Sequence, residues 1–352
     1  MIHSIDDFDN INFDGGNLSS DGGSILLSSY IADKHYLDAL SDVTFNDHRK
    51  CPVHSNKAII QQMIERCCLG YFNQKEQACS FINENVDDII LDADSTLVTT
   101  NGCQKAAAYI SHYAEVGYHP LVINEFNTKL LMSSQLRTGS AYSSNGIIEE
   151  LQGIFPYISR KDYRRVKFRG DSAFYNSELM DYLESMNCIY FIRAKGYKKL
   201  QQKVMEKIYK NKINPDHYTA NRPYYGEIQY SVGKSDKSRR VVYKIFSYTE
   251  ADGQLSLFPS IYCVITNQNH GDPKSIMDFY EARGASENFT KELKQDFNAA
   301  ILSHKKFIKN EMEFLISSYA YNLFHMFQWE VLEESDKIIT METYRRKYQK
   351  LQ

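Results

Sequence analysis

The sequence predicts an α/β protein built on a mixed sheet with flanking helices. Three observations carry that prediction. An apolar run at residues 88–98 (DIILDADSTLV) is followed by two more at 119–126 and 129–136, the last two joined hairpin-fashion by Asn127 and Thr128. After this meander, strand-like and helix-like patterns alternate. A chain of 352 residues, 43% of them hydrophobic, has enough apolar material for one large core or two modest ones.

Residues 1–87 read as a mostly helical N-terminal region, with apolar positions at helical spacing in 58–68 (AIIQQMIERCC). The strand at 88–98 holds Asp92 and Asp94, which a period of two places on one face. A helix is expected at 147–157, a strand at 166–171 ending on Gly170-Asp171, a helix at 177–186 and a strand at 188–193 (CIYFIR). Residues 196–259 break into basic, tyrosine-rich pieces, with strand-like alternation at 226–232 and 240–248, and predict a β-rich insertion. Residues 261–266 return to buried-strand character. Pro273 opens a long helix over 273–303, and a further helix covers 310–334. The expected organisation is therefore 1–87, 88–195, 196–259, 260–335 and a basic tail at 336–352.

The formal net charge is −3, but it is unevenly spread. From Arg160 to Lys244 there are 20 Lys and Arg against 9 Asp and Glu, a net of +11, which leaves −14 for the rest. Arg164, Arg165, Lys167, Arg169, Lys195, Lys198 and Lys199 are the candidates in this basic middle for neutralising DNA phosphates.

No apolar run is long enough to span a bilayer, and the start of the chain (MIHSIDDFDN) lacks the basic and then apolar order of a signal peptide, so a cytoplasmic protein without a membrane partner is expected. Seven cysteines at irregular positions predict reduced thiols. His48, Cys51, His54, Cys67 and Cys68 match no common zinc-finger spacing. No phosphate-cradling or dinucleotide glycine motif is present, so no nucleotide cofactor is expected.

Three carboxylates stand out. Asp94 lies on the first strand, Asp171 ends a later one, and Glu287 lies on the long helix, each where it can be aimed at a common point. Such a group can hold two divalent ions, one activating an attacking oxygen and the other stabilising a leaving oxygen of a phosphodiester. Hard cations need oxygen ligands, and magnesium takes a few carboxylates while keeping its waters. On the long helix Tyr280, Arg283, Glu287 and Lys294 are offset by 0, 3, 7 and 14 residues and share one stripe. Phe289, Leu293, Phe297, Ala300 and Ile301 form a separate apolar stripe.

The spacing Tyr280, Arg283, Glu287, Lys294 resembles the Tyr-Arg-Glu-Lys signature of a large division of bacterial insertion-sequence transposases with an Asp-Asp-Glu site. LDADST at 91–96 with Gly102 and Gln104, GYHPL at 117–121, RGDSAF at 169–174 and the Arg283-to-Asp296 stretch look like the acid regions of its subgroup IS-thirteen-eighty. The resemblance covers most of residues 88–330. It implies an RNase H-like catalytic domain carrying a β-rich insertion, and Asp94, Asp171 and Glu287 as the metal-holding acids, with Asp92 the rival for first place. It implies Mg2+, with Mn2+ able to substitute, and cut-and-paste strand cleavage and transfer. The implied partners are double-stranded DNA, as terminal inverted repeats and target, and further copies of the chain assembled on it. The chain departs from the family in the short segment between Tyr71 and Asp92, where DNA-binding elements are expected. The alternatives are a DNA-binding remnant and a nuclease that only hydrolyses.

Overall fold

The computed structural model describes Tyr30, Asp33, Lys34 and residues 74–159, 165–233, 236–248, 256 and 258–348. The expected helix at 58–68, the His48 to Cys68 group and Arg164 lie outside the described residues.

The fold is mixed α/β. An eight-stranded sheet runs in the order β6-β5-β1-β7-β8-β11-β10-β9, where β1 is Asp88–Ser95, β5 Leu121–Glu125, β6 Leu131–Gln135, β7 Arg165–Gly170, β8 Ile189–Arg193, β9 Tyr224–Ser231, β10 Ser238–Phe246 and β11 Ser260–Thr266. β1 pairs antiparallel with β5 and parallel with β7, and β7 pairs parallel with β8. Three antiparallel strands followed by two parallel ones give the RNase H-like core. Ile89, Ile90, Leu91, Asp92 and Ala93 of β1 are all buried, as befits a central strand covered on both faces. Helices flank the sheet: α1 (Gln74–Asn85), α2 (Ile147–Ile154), α3 (Ser177–Ser185), α4 (Lys198–Lys210), α5 (Pro273–Glu281), α6 (Ser286–Asp296), α7 (Phe307–Val331) and α8 (Met341–Tyr348).

Local chemistry sets the element ends. The β5–β6 hairpin is locked by the fully buried Glu125, whose carboxylate accepts from the Thr128 backbone N–H (2.7 Å), the Thr128 hydroxyl (2.8 Å) and the Ile90 N–H (3.2 Å). Asn176 caps α3 by accepting from the Glu178 N–H, and Asp272 caps α5 ahead of Pro273. α7 covers the edge strand β6: the Asn322 side-chain carbonyl accepts from the Leu131 N–H and its amide donates to the Leu131 carbonyl, both at 2.8 Å. Asn322→Ala removes two buried hydrogen bonds and is expected to cost about 2–3 kcal/mol in urea unfolding; an unchanged midpoint would show that β6 needs no clasp.

Several expectations are corrected. Residues 98–118 hold a second, three-stranded sheet in the order β2-β4-β3, from β2 (Val98–Thr99), β3 (Ala108–Ile110) and β4 (Glu115–Tyr118). Strands this short leave no periodicity to read. The segment 196–259 opens with α4, and β9 and β10 extend the main sheet through β11. The long helix expected over 273–303 is interrupted by a 3-10 turn at Ala282–Ala285 and ends at Asp296, so Ile301 is exposed instead of buried. Ala282, Arg283, Gly284 and Ala285 carry no helix-breaking signal beyond the glycine. The expected tail carries α8, capped from outside: Glu292 and Asp296 of α6 accept from the Met341 and Glu342 N–H groups at 2.9 and 3.0 Å. Among the described residues Cys79, Cys103, Cys188 and Cys263 are free thiols, and no helix is long and apolar enough to cross a membrane.

Candidate active site

The site begins with strand register. Ala93 of β1 lies opposite Gly170 of the parallel β7, so Asp94 and Asp171 follow as neighbours where the two strands end. Adjacent strands run about 5 Å apart, which makes the separation of 77 positions between Asp94 and Asp171 irrelevant to the distance. Asp171 caps a 3-10 turn at Ser172–Phe174, one oxygen accepting from the Ala173 N–H at 2.8 Å. Gly170 allows this tight exit: a Cβ there would meet the Cβ of Phe174 at 3.0 Å and the ring of Phe168 at 3.1 Å.

Glu287 is the second residue of α6, and its neighbour Ser286 anchors that helix by donating to Asp92. Asp94 lies within electrostatic reach of the other two acids. The Asp94 carboxyl is pushed up to about 6, by burial first and then by the charges of Asp171 and Glu287, against the opposing pull of Arg283 and the Ser95 N–H. Arg283 Nη2 donates to Asp94 Oδ1 at 3.0 Å and to the Ala93 carbonyl at 3.2 Å. Lys294 Nζ donates to the Thr96 hydroxyl (2.9 Å) and the Leu97 carbonyl (3.2 Å), and burial lowers its pKa against the opposing charge of Asp94. Tyr280 is partly buried, its hydroxyl pKa raised by burial and by Asp171 and Asp92. The Tyr280, Arg283, Glu287 and Lys294 stripe thus stays beside the acids despite the 3-10 turn, although Arg283 and Lys294 are already bonded to β1 and the loop after it.

Asp92 is placed differently from Asp94. Its side chain is 1% exposed and forms a bidentate pair with Arg169 directly across on β7, Nε to Oδ1 at 2.6 Å and Nη2 to Oδ2 at 2.7 Å. Arg169 also donates to the Phe279 carbonyl at 2.8 Å and lies over the rings of Phe126 and Phe279. With Ser286, this pair ties β1, β7 and α6 together beneath the acids. Arg169 was expected to contact phosphates; it is fully buried, and its charge is spent on Asp92. Lys167 is mostly covered, paired with Asp88 and lying over the Phe279 ring. Arg165, Lys198 and Lys199 are exposed, and Lys195 donates to the Tyr142 hydroxyl at 3.0 Å while sensing Asp171.

Two further residues complete the surroundings. Arg137 is buried and donates to the carbonyls of His119, Tyr142, Ser143 and Asn145 and to the Ser95 hydroxyl, fixing the loop beside Asp94. The Tyr113 hydroxyl donates to the Ser95 carbonyl at 3.1 Å, and its pKa is raised by burial, Asp94 and Asp171. Nothing local in the sequence marks Arg137. His119 of the GYHPL stretch contacts Tyr113, so that motif points to the right neighbourhood.

Among the described residues no three His, Cys, Asp or Glu side chains close on a single point as a metal cage. The donor set nonetheless fits magnesium, which binds through one or two carboxylates plus water and substrate oxygens rather than an all-protein cage. Burial first, and then the nearby charges of Asp171 and Glu287, hold the Asp94 pKa up, and a bound cation would offset both.

A pH effect follows. Because the folded-state pKa of about 6 exceeds the ordinary 3.8, ionising Asp94 costs the metal-free fold stability. The cost is absent below 3.8, grows as pH rises toward 6 and is complete above it, at about 3 kcal/mol. Metal-free Asp94→Asn should therefore be more stable than the wild type above pH 6, with the gain fading toward pH 4. Urea melts in chelator across that range measure it, and a pH-independent difference would show that Asp94 titrates normally.

The family model described as Transposase DDE domain group 1 matches residues 74–351. No curated protein matches the chain. Among solved structures, piggyBac transposase in a synaptic complex with hairpin DNA is 12% identical with a TM-score of 0.48, over 94% of this chain and 69% of that one. Drosophila P element transposase in a strand transfer complex is 11% identical with a TM-score of 0.23, over 59% of this chain and 47% of that one, so the match spans less than half of the P element protein. The family match runs through all three acids and covers well over half of the sequence: the chain belongs to the transposase DDE domain family, group 1.

Proposed function

We propose that the chain is an insertion-sequence transposase of the IS-thirteen-eighty type that cleaves DNA at element ends and joins the freed ends to a target by cut-and-paste. Asp94, Asp171 and Glu287 are its metal-holding acids, with Mg2+ the resident ion and Mn2+ a substitute. The observation that carries this reading is the Ala93–Gly170 register, which brings two acids to one end of neighbouring parallel strands, with the Glu287 helix anchored over them through Ser286.

Divalent ions held there supply activation of the attacking oxygen and stabilisation of the leaving oxygen of a phosphodiester. The chain's own residues do the rest. Asp92 and Arg169 fix the strands that aim the acids. Arg283 balances the charge of Asp94 and, on this reading, turns its guanidinium to a phosphate when DNA enters. Lys294 holds the loop after β1 in place. Self-association on DNA belongs to the same reading.

The test uses duplexes carrying the inverted repeats that flank the coding region, incubated with a supercoiled target in Mg2+, Mn2+ or chelator. Metal-dependent joined products are expected. Nicking without joining would identify a nuclease that only hydrolyses, and binding with neither reaction would identify a DNA-binding remnant.

A further inference from the structure

Several cations of the basic middle are paired with carboxylates, whereas one helix carries a row of lysines that is not. Arg169 is paired with Asp92, Lys167 with Asp88, Arg239 with Asp181 and Glu184, Arg240 with Glu227, and Lys244 with Glu281. On α4, by contrast, Lys198, Lys199, Lys203, Lys207 and Lys210 are all exposed, and among the described residues none has an acidic partner. Leu200, Val204 and Ile208 bury a face roughly 100° round the helix from the lysines, which leaves the lysine row outward along the flank. Lys199, Lys203, Lys207 and Lys210 recur at i, i+4, i+8 and i+11, one stripe about 16 Å long. Glu206 is the single acid in it.

The stripe starts at the acids. Tyr197 stands at the start of α4 with its ring against Tyr175, at the end of the turn that Asp171 begins, and Lys195, which donates to the Tyr142 hydroxyl, is also within reach of the Asp171 charge. A strand of duplex DNA advances 3.4 Å along the axis per phosphate, so 16 Å of lysine matches about five nucleotides. Two tyrosines stand at the stripe, Tyr230 with Lys203 Nζ 5.3 Å over its ring and the 68% exposed Tyr209, but the run of lysines outnumbers them and suits a phosphate backbone better than unpaired bases.

We propose that Lys195, Lys199, Lys203, Lys207 and Lys210 form a phosphate track that carries the duplex flanking the cleaved bond away from the Asp171 end of the site. This rests on the transposase reading for the identity of the bond, but not for the binding.

The experiment measures metal-free binding of the full chain to an arbitrary duplex of about thirty base pairs by anisotropy over a salt series. Changing Lys199, Lys203, Lys207 and Lys210 together to Gln should reduce the slope of log affinity against log salt by about three to four and weaken binding at least about a hundredfold at low salt. The corresponding Arg variant should keep the slope, and Glu206→Gln should tighten binding severalfold. An unchanged slope in a Gln variant with a wild-type thermal midpoint overturns the track, as does equal weakening toward a single strand of the same length. A reduced slope in a protein whose wild type shows no metal-dependent cleavage would keep the track and sink the transposase reading instead.

Discussion

Asp94→Asn, Asp171→Asn and Glu287→Gln are each expected to lower metal-dependent strand cleavage by about a thousandfold or more while leaving DNA affinity within a fewfold of wild type. Each amide preserves shape but removes the charge that holds a divalent ion, and the ion contributes several kcal/mol of transition-state stabilisation, about tenfold in rate for each 1.4 kcal/mol. Folding should not suffer. Glu287 is exposed, Asp94 carries an ionisation cost, and an Asn at 171 still offers an oxygen to the Ala173 N–H. Single-turnover cleavage at saturating DNA, beside a thermal melt of each variant, separates chemistry from folding. Cleavage near the wild-type rate in any of the three would remove that acid from the site.

Asp92→Asn should fail for the opposite reason. The Arg169 guanidinium is buried among Asp92, Phe126 and Phe279, and stripping its counter-charge leaves an uncompensated buried cation, a loss of about 3–5 kcal/mol. Against a typical domain stability of about 5–15 kcal/mol, that is a large share of the total and a clear drop in the unfolding midpoint. Arg169→Met alone should be comparably damaging. The pair Asp92→Leu with Arg169→Met should recover much of the loss, because apolar groups of similar volume replace a buried ion pair with little penalty. Urea unfolding of the two singles and the double closes the cycle. Additive losses would show that the two residues act independently.

These two expected outcomes assign the neighbouring aspartates of β1 different roles, one chemical and one structural, a choice the sequence leaves open. A period of two places Asp92 and Asp94 on one face and says nothing of what lies opposite. Arg169 looks like one more member of a basic cluster, because its partner is 77 residues away and only the parallel register of β1 with β7 joins them. Long apolar strands were legible: β1, β5, β6, β7 and β8 lie within a few residues of where hydrophobic runs put them. Strands of two to four residues were not. α4 was hidden because five lysines mask the row of Leu200, Val204 and Ile208. The turn at Ala282–Ala285 was hidden because its residues are compatible with unbroken helix and tertiary anchoring, through Arg283 to Asp94 and Ser286 to Asp92, decides its geometry. The motif spacing survived that change because the turn keeps right-handed backbone throughout.

The outside capping of α8 sets an order of events during synthesis. Asp94 and Asp171 lie on strands that can pair soon after they emerge, but the helix bearing Glu287 gives two of its carboxylates, Glu292 and Asp296, to backbone made some fifty residues later. Until Met341 and Glu342 leave the ribosome, those carboxylates lack these two donors. The helix bearing Glu287 therefore gains these two contacts only late in translation, and a product cut short before α8 would keep Asp94, Asp171 and Glu287 without them.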